Sequence, residues 1–215
     1  MKFNTLDVQG FDSALSGMRN PLKSYNRFDS KWIYDETGNE HFVIGTKDYD
    51  LAKRLWNGGT EHRKWMRQVI VWVDITAPRY WWSEFDTYKI GTSANSESTM
   101  HRLTKDGVKK EDLDFEWGLD SLADSTMEDL ISSLNILIDF YNACTPKKQK
   151  ELFPLIKGLL PESFMQKRTI CLNYEVLATM YRQRKNHRLP QWSKDFTSWI
   201  KTLPYNEFIT GEFDD

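Results

Sequence analysis

Between Arg67 and Ile75 the sequence reads RQVIVWVDI, with valine at every second position: Val69, Val71 and Val73. Successive side chains of an extended chain point to opposite faces, so this alternation places the valines on one face of a β-strand. Their branched side chains, stiff at χ1, favour the same conformation. Pro78 ends the run, because proline has no N–H for a sheet ladder. One such strand needs partner strands and a covering layer. The rest of the chain is rich in helical patterns, so the expected class is α/β (α+β), a sheet flanked by helices.

The covering elements are legible in outline. RYWWSEFDTYKI, after Pro78, predicts a helix with a buried aromatic face that ends at Gly91. Asp48–Trp56 predicts a short amphipathic helix stopped by Asn57-Gly58-Gly59. Residues 1–45 are mixed and turn-rich, with a proline stop in MRNPLKS and a hairpin tip or loop around Gly38-Asn39. Asp124–Tyr141 carries Ser125 and Glu128 at capping-box spacing, and Leu130, Leu134, Leu137, Ile138 and Tyr141 at helical spacing. TPKKQKELFPLIKGLLP predicts a helix or helix pair that starts at Pro146 and kinks at Pro154. Thr169–Lys185 reads as a longer helix, with Leu172, Val176, Leu177, Met180 and Tyr181 as its apolar stripe. Arg182, Arg184, Lys185 and Arg188 crowd its C-terminal end, and Gln191–Thr202 is a last helix. There are no internal repeats and no low-complexity segment.

Composition narrows the class of partner. A chain of 215 residues that is 40% hydrophobic and 14% aromatic can bury one substantial core. A formal net charge of -2 argues against nucleic acid or a membrane surface as the partner, while leaving room for a local basic pocket. No apolar run approaches the ~18 residues of a membrane helix, and the first residues have no apolar h-region of a signal peptide. Cys144 and Cys171 have no paired spacing, which predicts a reduced, cytoplasmic protein. His41, His62, His101 and His187 are scattered, so no zinc site is expected.

The segment Gly91–His101 is dense in hydroxyls and amides: Thr92, Ser93, Asn95, Ser96, Ser98 and Thr99. Such residues serve as turn and cap groups. They also hold a phosphate or a planar ring when cations join them. YRQRKNHR, Tyr181–Arg188, is the candidate source of those cations, although cations also favour helix C-termini for structural reasons.

Two blocks of sequence resemble the flavin-dependent thymidylate synthase (ThyX-like) family. That family has a strand, a proline junction, a helix, an Arg-His-Arg motif and a loop of the form S-x-N-x-x-S-x-R. Ser93-Ala94-Asn95-Ser96-Glu97-Ser98-Thr99-Met100 fits the loop except at its last position. The second block, Leu160-Pro161, Asn173, Arg184, His187 and Gln191-Trp192, matches in order and spacing, with Lys157 as the basic residue, usually Arg in the family, four before the proline. The departures are specific. Thr87-Tyr88-Lys89 stands where the family has Arg-His-Arg, Met100 where it has the loop Arg, and Glu175 where it has an Arg two after the helix Asn.

The resemblance implies a ThyX-like fold over 1–215, an antiparallel or mixed sheet flanked by helices, with a helical elaboration at about 104–150. It is nearest to divergent phage-type members. It implies C5 methylation of dUMP by a flavoprotein, with methylenetetrahydrofolate giving the carbon, reduced FAD the hydride, and NADPH reducing the flavin. It also implies a homotetramer with shared active sites. Arg184, Lys157, Ser96, Ser98, His101 and Arg79 are the nucleotide-binding candidates. Thr87, Tyr88, Lys89, Ser93, Asn95 and Asn173 are the flavin-binding candidates. Each has a plainer role as a cap, a helix-end charge or a surface group. Two other readings stay open: an enzyme acting on another pyrimidine nucleotide, such as a dUMP or dCMP hydroxymethylase, and a non-catalytic nucleotide-binding or interaction protein without flavin.

Overall fold

The computed structural model describes residues 1–213, apart from the side chains of Met100 and His101. In chain order the main elements are β1 (Lys2–Gln9), α1 (Phe11–Gly17), β2 (Lys31–Tyr34), β3 (Glu40–Val43), α2 (Thr46–Asn57), β4 (Ile70–Pro78) and α3 (Arg79–Phe85). They continue with β5 (Thr92–Ser96), α4 (Thr99–Asp106), α5 (Ser121–Ala143), α6 (Pro146–Leu159), β6 (Met165–Asn173), α7 (Tyr174–Arg184), α8 (Thr197–Ile200) and α9 (Glu207–Thr210). Four strands form one sheet in the order β1-β4-β6-β5, and β2 and β3 form an antiparallel hairpin.

The valine strand lies inside the sheet, and Val69, Val71 and Val73 are fully buried. The hairpin turns at Gly38, which takes φ +85°, as the Gly38-Asn39 reading predicts. The helix over TPKKQKELFPLIKGLLP starts at Pro146 and contains Pro154.

Elsewhere the structure departs from the pattern reading. Residues 2–9 form a strand. Only Phe3 and Val8 are half-buried in it, too few to show an alternation. The aromatic helix stops at Phe85, before Gly91. The Thr87 N–H and hydroxyl both donate to the Glu84 carbonyl, at 3.2 and 2.7 Å, and close the last turn. The long helix in the elaboration begins at Ser121. Its cap is Asp120, which accepts from the N–H groups of Leu122 and Ala123 at 2.9 Å. Thr169–Asn173 is strand rather than helix. Asn173 ends the strand and caps α7 by accepting from the Val176 N–H at 3.0 Å.

The chain divides into two compact units. Unit 1 comprises residues 1–2, 75–87 and 95–168, and unit 2 comprises 3–74, 88–94 and 169–215. Unit 1 has a core of Leu103, Val108, Leu113, Leu134, Ile138, Ile156 and Leu160, with Phe115, Met127 and Phe164 packed against it. It also buries Trp81, Trp82 and Phe85 of α3. The Trp82 indole donates to the Gln166 carbonyl at 2.9 Å, and the Arg168 guanidinium stacks on its ring at 4.3 Å.

Unit 2 is built on aromatics. Phe11 meets Tyr174 and Tyr205 edge-on at 5.3 Å, and Trp65 meets Phe208 edge-on at 5.0 Å. It also contains a buried ion pair. Asp48, fully buried at the start of α2, accepts from Arg19 at 2.6 Å and from the N–H groups of Asp29 and Ser30 at 2.9 Å. The Ser30 hydroxyl adds a bond at 2.7 Å. The carboxylate thus fixes the residues that lead into β2, and these hydrogen bonds offset the cost of burying a charge.

Candidate functional site

Within unit 2, Gly91 turns the chain from Tyr88 into β5. It takes φ +77°, and a Cβ there would lie 2.8 Å from Val176 Cγ2 and 2.9 Å from Asn173 Nδ2. Only glycine fits this close approach to the start of α7 without displacing it. Tyr88 is held at the near end of the turn, its carbonyl accepting from the Thr92 hydroxyl at 2.5 Å. Its phenol donates to Gln183 at 2.8 Å and accepts from Arg184 Nε at 3.0 Å. The Arg184 guanidinium lies over the rings of Tyr88 at 5.6 Å and Trp192 at 5.0 Å.

The structure therefore brings Tyr88 and Arg184 together, and packs Asn173 against the Gly91 turn. The Asn173 carbonyl oxygen is used as a helix cap. Lys89 and Ser93 are exposed. Arg184 is half-buried and oriented by two rings, an arrangement that suits a planar fork better than a point charge.

The remaining candidates lie in unit 1. Arg79 donates to the Leu160 carbonyl at 3.2 Å and pairs with Glu162 at 3.3 Å, so its guanidinium serves the junction of α3 with the segment after α6. The Thr87 hydroxyl closes α3. Asn95, Ser96 and Ser98 are exposed, and Ser98 sits at the N-cap position of α4 without a side-chain capping bond. Lys157 is exposed near the end of α6. The His101 side chain lies outside the described residues. A cavity of about 260 Å³ beside Ser98 and Thr99 also admits Arg102, Lys109, Glu97 and Asp106. Arg102 there is matched by Glu97 at 3.0 Å and Asp106 at 3.5 Å, which leaves little net positive charge for an anion.

A second basic site was not visible as a site in the sequence. A cavity of about 300 Å³ in unit 2 is lined by Arg63, Arg182, Lys185 and the hydroxyl residues Thr60, Thr179 and Thr210. Arg63 donates to the Trp56 carbonyl at 2.9 Å and stacks on the Trp56 ring at 4.1 Å. Burial lowers the Arg63 guanidinium from its ordinary value, Glu175 pulls it back up, and Arg182 lowers it further. Glu175 is 14% exposed and lies 3.6 Å from Arg67. Burial raises its carboxyl above the ordinary range, against the pull of Arg67, Arg63 and Arg182. Arg182 and Lys185 belong to the basic crowd of α7 that the sequence displays. Arg63 and Thr60 come from a turn-rich stretch with no such signal. The arrangement can hold a phosphate through charge-assisted and hydroxyl hydrogen bonds.

Among the described residues no helix is long and apolar enough to cross a membrane, and no group of three or more His, Cys, Asp or Glu is placed to hold a metal ion.

No protein-family model matches the sequence, and no curated protein matches it. Solved structures do match its fold. A crystal structure of thymidylate synthase X (ThyX) from Helicobacter pylori with FAD and dUMP superposes with a TM-score of 0.73 at 18% identity, covering 99% of this chain and 98% of that one. A second structure of the flavin-dependent thymidylate synthase ThyX from Helicobacter pylori, complexed with FAD and dUMP, gives 0.64 at 16% identity over the same shares.

Proposed function

We propose that this chain, which has the ThyX fold along nearly its whole length, is a divergent flavin-dependent thymidylate synthase-like protein whose reaction is C5 methylation of dUMP. The observation that carries this reading is the fold match, which runs end to end with structures solved with FAD and dUMP. Methylenetetrahydrofolate is then the carbon donor, and bound FAD, once reduced by NADPH, supplies the hydride.

The chain's own residues bind and orient. Arg63, Arg182 and Lys185, with Thr60 and Thr179, form a donor set that fits a phosphate. At about 300 Å³ the cavity is small for a ligand site, sized for a mononucleotide or for the diphosphate portion of FAD. Arg184 is a further cation of the same unit, aimed by Tyr88 and Trp192. Lys157, Arg79, His101 and the loop residues Ser93, Asn95, Ser96 and Ser98 remain proposed contacts. A homotetramer belongs to the same reading.

A nucleotide-binding protein without flavin is the second reading, and one observation favours it. The hydroxyls of Thr87 and Tyr88, which stand in the family's flavin motif, are both engaged with protein partners.

The visible absorption spectrum, taken as isolated and again after adding FAD and desalting, separates the two. A retained flavin band supports the enzyme. Release of tritium from dUMP labelled at C5, with methylenetetrahydrofolate and NADPH present, then tests the reaction, and a parallel assay with dCMP tests the hydroxymethylase variant. A folded protein that retains no flavin but binds dUMP in calorimetry gives the second reading. Absence of both overturns the two together.

A further inference from the structure

The largest cavity described in unit 2 has the opposite character from the phosphate site. It measures about 750 Å³ and lies among the end of β1, the β2–β3 hairpin and Pro204-Tyr205. We infer that it is a binding site for a small organic cation carrying several amines, of the polyamine class. None of the residues lining it is among those assigned above to nucleotide or flavin.

The first support is the wall. Trp32, Phe42, Phe11 and Tyr205 all line the cavity. Trp32 and Phe42 are cross-strand partners that meet edge-on at 5.3 Å, and Phe11 and Tyr205 meet edge-on at the same distance. Trp32 is 52% exposed, which leaves part of its ring surface accessible to a ligand. Aromatic faces are electronegative and attract ammonium groups.

The second support is charge. Asp7, Asp12 and Glu40 line the cavity together with His41, and no lysine or arginine does. Two of these carboxylates are held in place: Asp7 accepts from the Val8 N–H at 2.8 Å and from Gln9 at 2.5 Å, and Asp12 accepts from the Ser13 N–H at 2.6 Å. Three negative charges around aromatic walls suit a ligand with more than one ammonium group.

The third support is preorganisation. Tyr205 occupies the left-handed region at φ +51°, which a non-glycine residue keeps only where its surroundings impose it. Its phenol accepts from the Ile44 N–H at 2.9 Å and donates to the Phe42 carbonyl at 3.3 Å, tying this wall to the end of the hairpin. Gly10, which also lines the cavity, takes φ +95°, and a Cβ there would stand 2.3 Å from the Gln68 carbonyl oxygen. The volume falls within the range of small-molecule cavities, roughly 300–1,000 Å³, which favours a free amine over a flat protein surface.

The test is calorimetric titration of spermidine into the full chain. One saturable site is expected. Trp32→Ala should weaken it roughly three- to thirtyfold, the span of a cation–π contact. The double change Asp12→Asn and Glu40→Gln should weaken it roughly five- to tenfold. Glu116→Gln removes one exposed negative charge in unit 1 and should leave binding unchanged. If Trp32→Ala fails to fold, the charge variant decides alone. The inference is overturned if no saturable binding occurs, if the cavity variants bind like the parent, or if Glu116→Gln weakens binding as much as they do.

Discussion

Among the cavities of unit 2, two are of opposite sign. One joins Arg63, Arg182 and Lys185 to hydroxyls, and the other joins Asp7, Asp12 and Glu40 to aromatic rings. A formal net charge of -2 records neither. The summed charge of a chain thus limits its long-range field but not its local recognition, because each cavity is assembled from distant segments. The basic cavity also has a built-in opponent in Glu175, whereas the acidic one has no lysine or arginine in its lining.

The largest effect is expected at the foot of the hairpin. Asp48→Ala strands Arg19 without its partner and frees Asp29 and Ser30 at the entry to β2, so it should cost about 3–5 kcal/mol in chemical denaturation. The aromatic cavity should lose its wall before the basic cavity is affected. Burial alone would raise the Asp48 carboxyl. Hydrogen bonds from the Ser30 hydroxyl, the Asp29 N–H, Arg19 and the Ser30 N–H outweigh it and hold the group below its ordinary 3.8. Because the folded value is the lower one, this stabilisation is present above about pH 4 and is lost as pH falls through the folded value. An acid titration of stability should therefore be shallower in Asp48→Asn than in the parent.

Gly91→Ala acts on the other side. The added methyl meets Val176 and Asn173 at the start of α7 and strains a positive φ, so it should cost roughly 1–3 kcal/mol in thermal unfolding. Because α7 carries Thr179 and Arg182, phosphate affinity should fall with it, while spermidine binding stays unchanged. Arg182→Ala should weaken dUMP or inorganic phosphate binding about tenfold with little change in stability, since it removes one exposed charge-assisted donor. Calorimetry reads both quantities.

The smallest effect sharpens the contrast. Glu175→Gln removes the opponent of the basic cavity and should raise sulfate affinity roughly two- to fivefold. The Glu175 carboxyl is raised by burial, so in the parent it takes up its proton at a higher pH than an ordinary carboxylate. Sulfate affinity of the parent should thus rise as pH falls through that raised value, and the Gln variant should show no such limb. A pH-independent difference between the two proteins would rule this role out.

Strands and helices were legible where a single period ran long enough. The valine strand, the Pro146 helix and the Gly38 hairpin follow their local chemistry. Thr169–Asn173 misled because Leu172 falls in helical register with Val176, and only the capping bond of Asn173 shows that the chain changes conformation there. The Ser/Asn-rich segment contained a short strand, since hydroxyl and amide residues carry no alternation to reveal one. The site was legible in part. Arg184 and Tyr88 do meet, but Arg63 has no local signal, because its role depends on which segments fold beside it.

The two units are interleaved along the chain, which passes between them five times, four of those passages falling within β1, β4, β5 and β6. No single cut of the polypeptide separates one unit from the other, and any terminal truncation that reaches past the first passage removes parts of both. Change of length disturbs the fold least inside a segment that begins and ends in the same unit, as residues 104–150 do. The architecture thus favours diversification by insertion and residue exchange over exchange of modules.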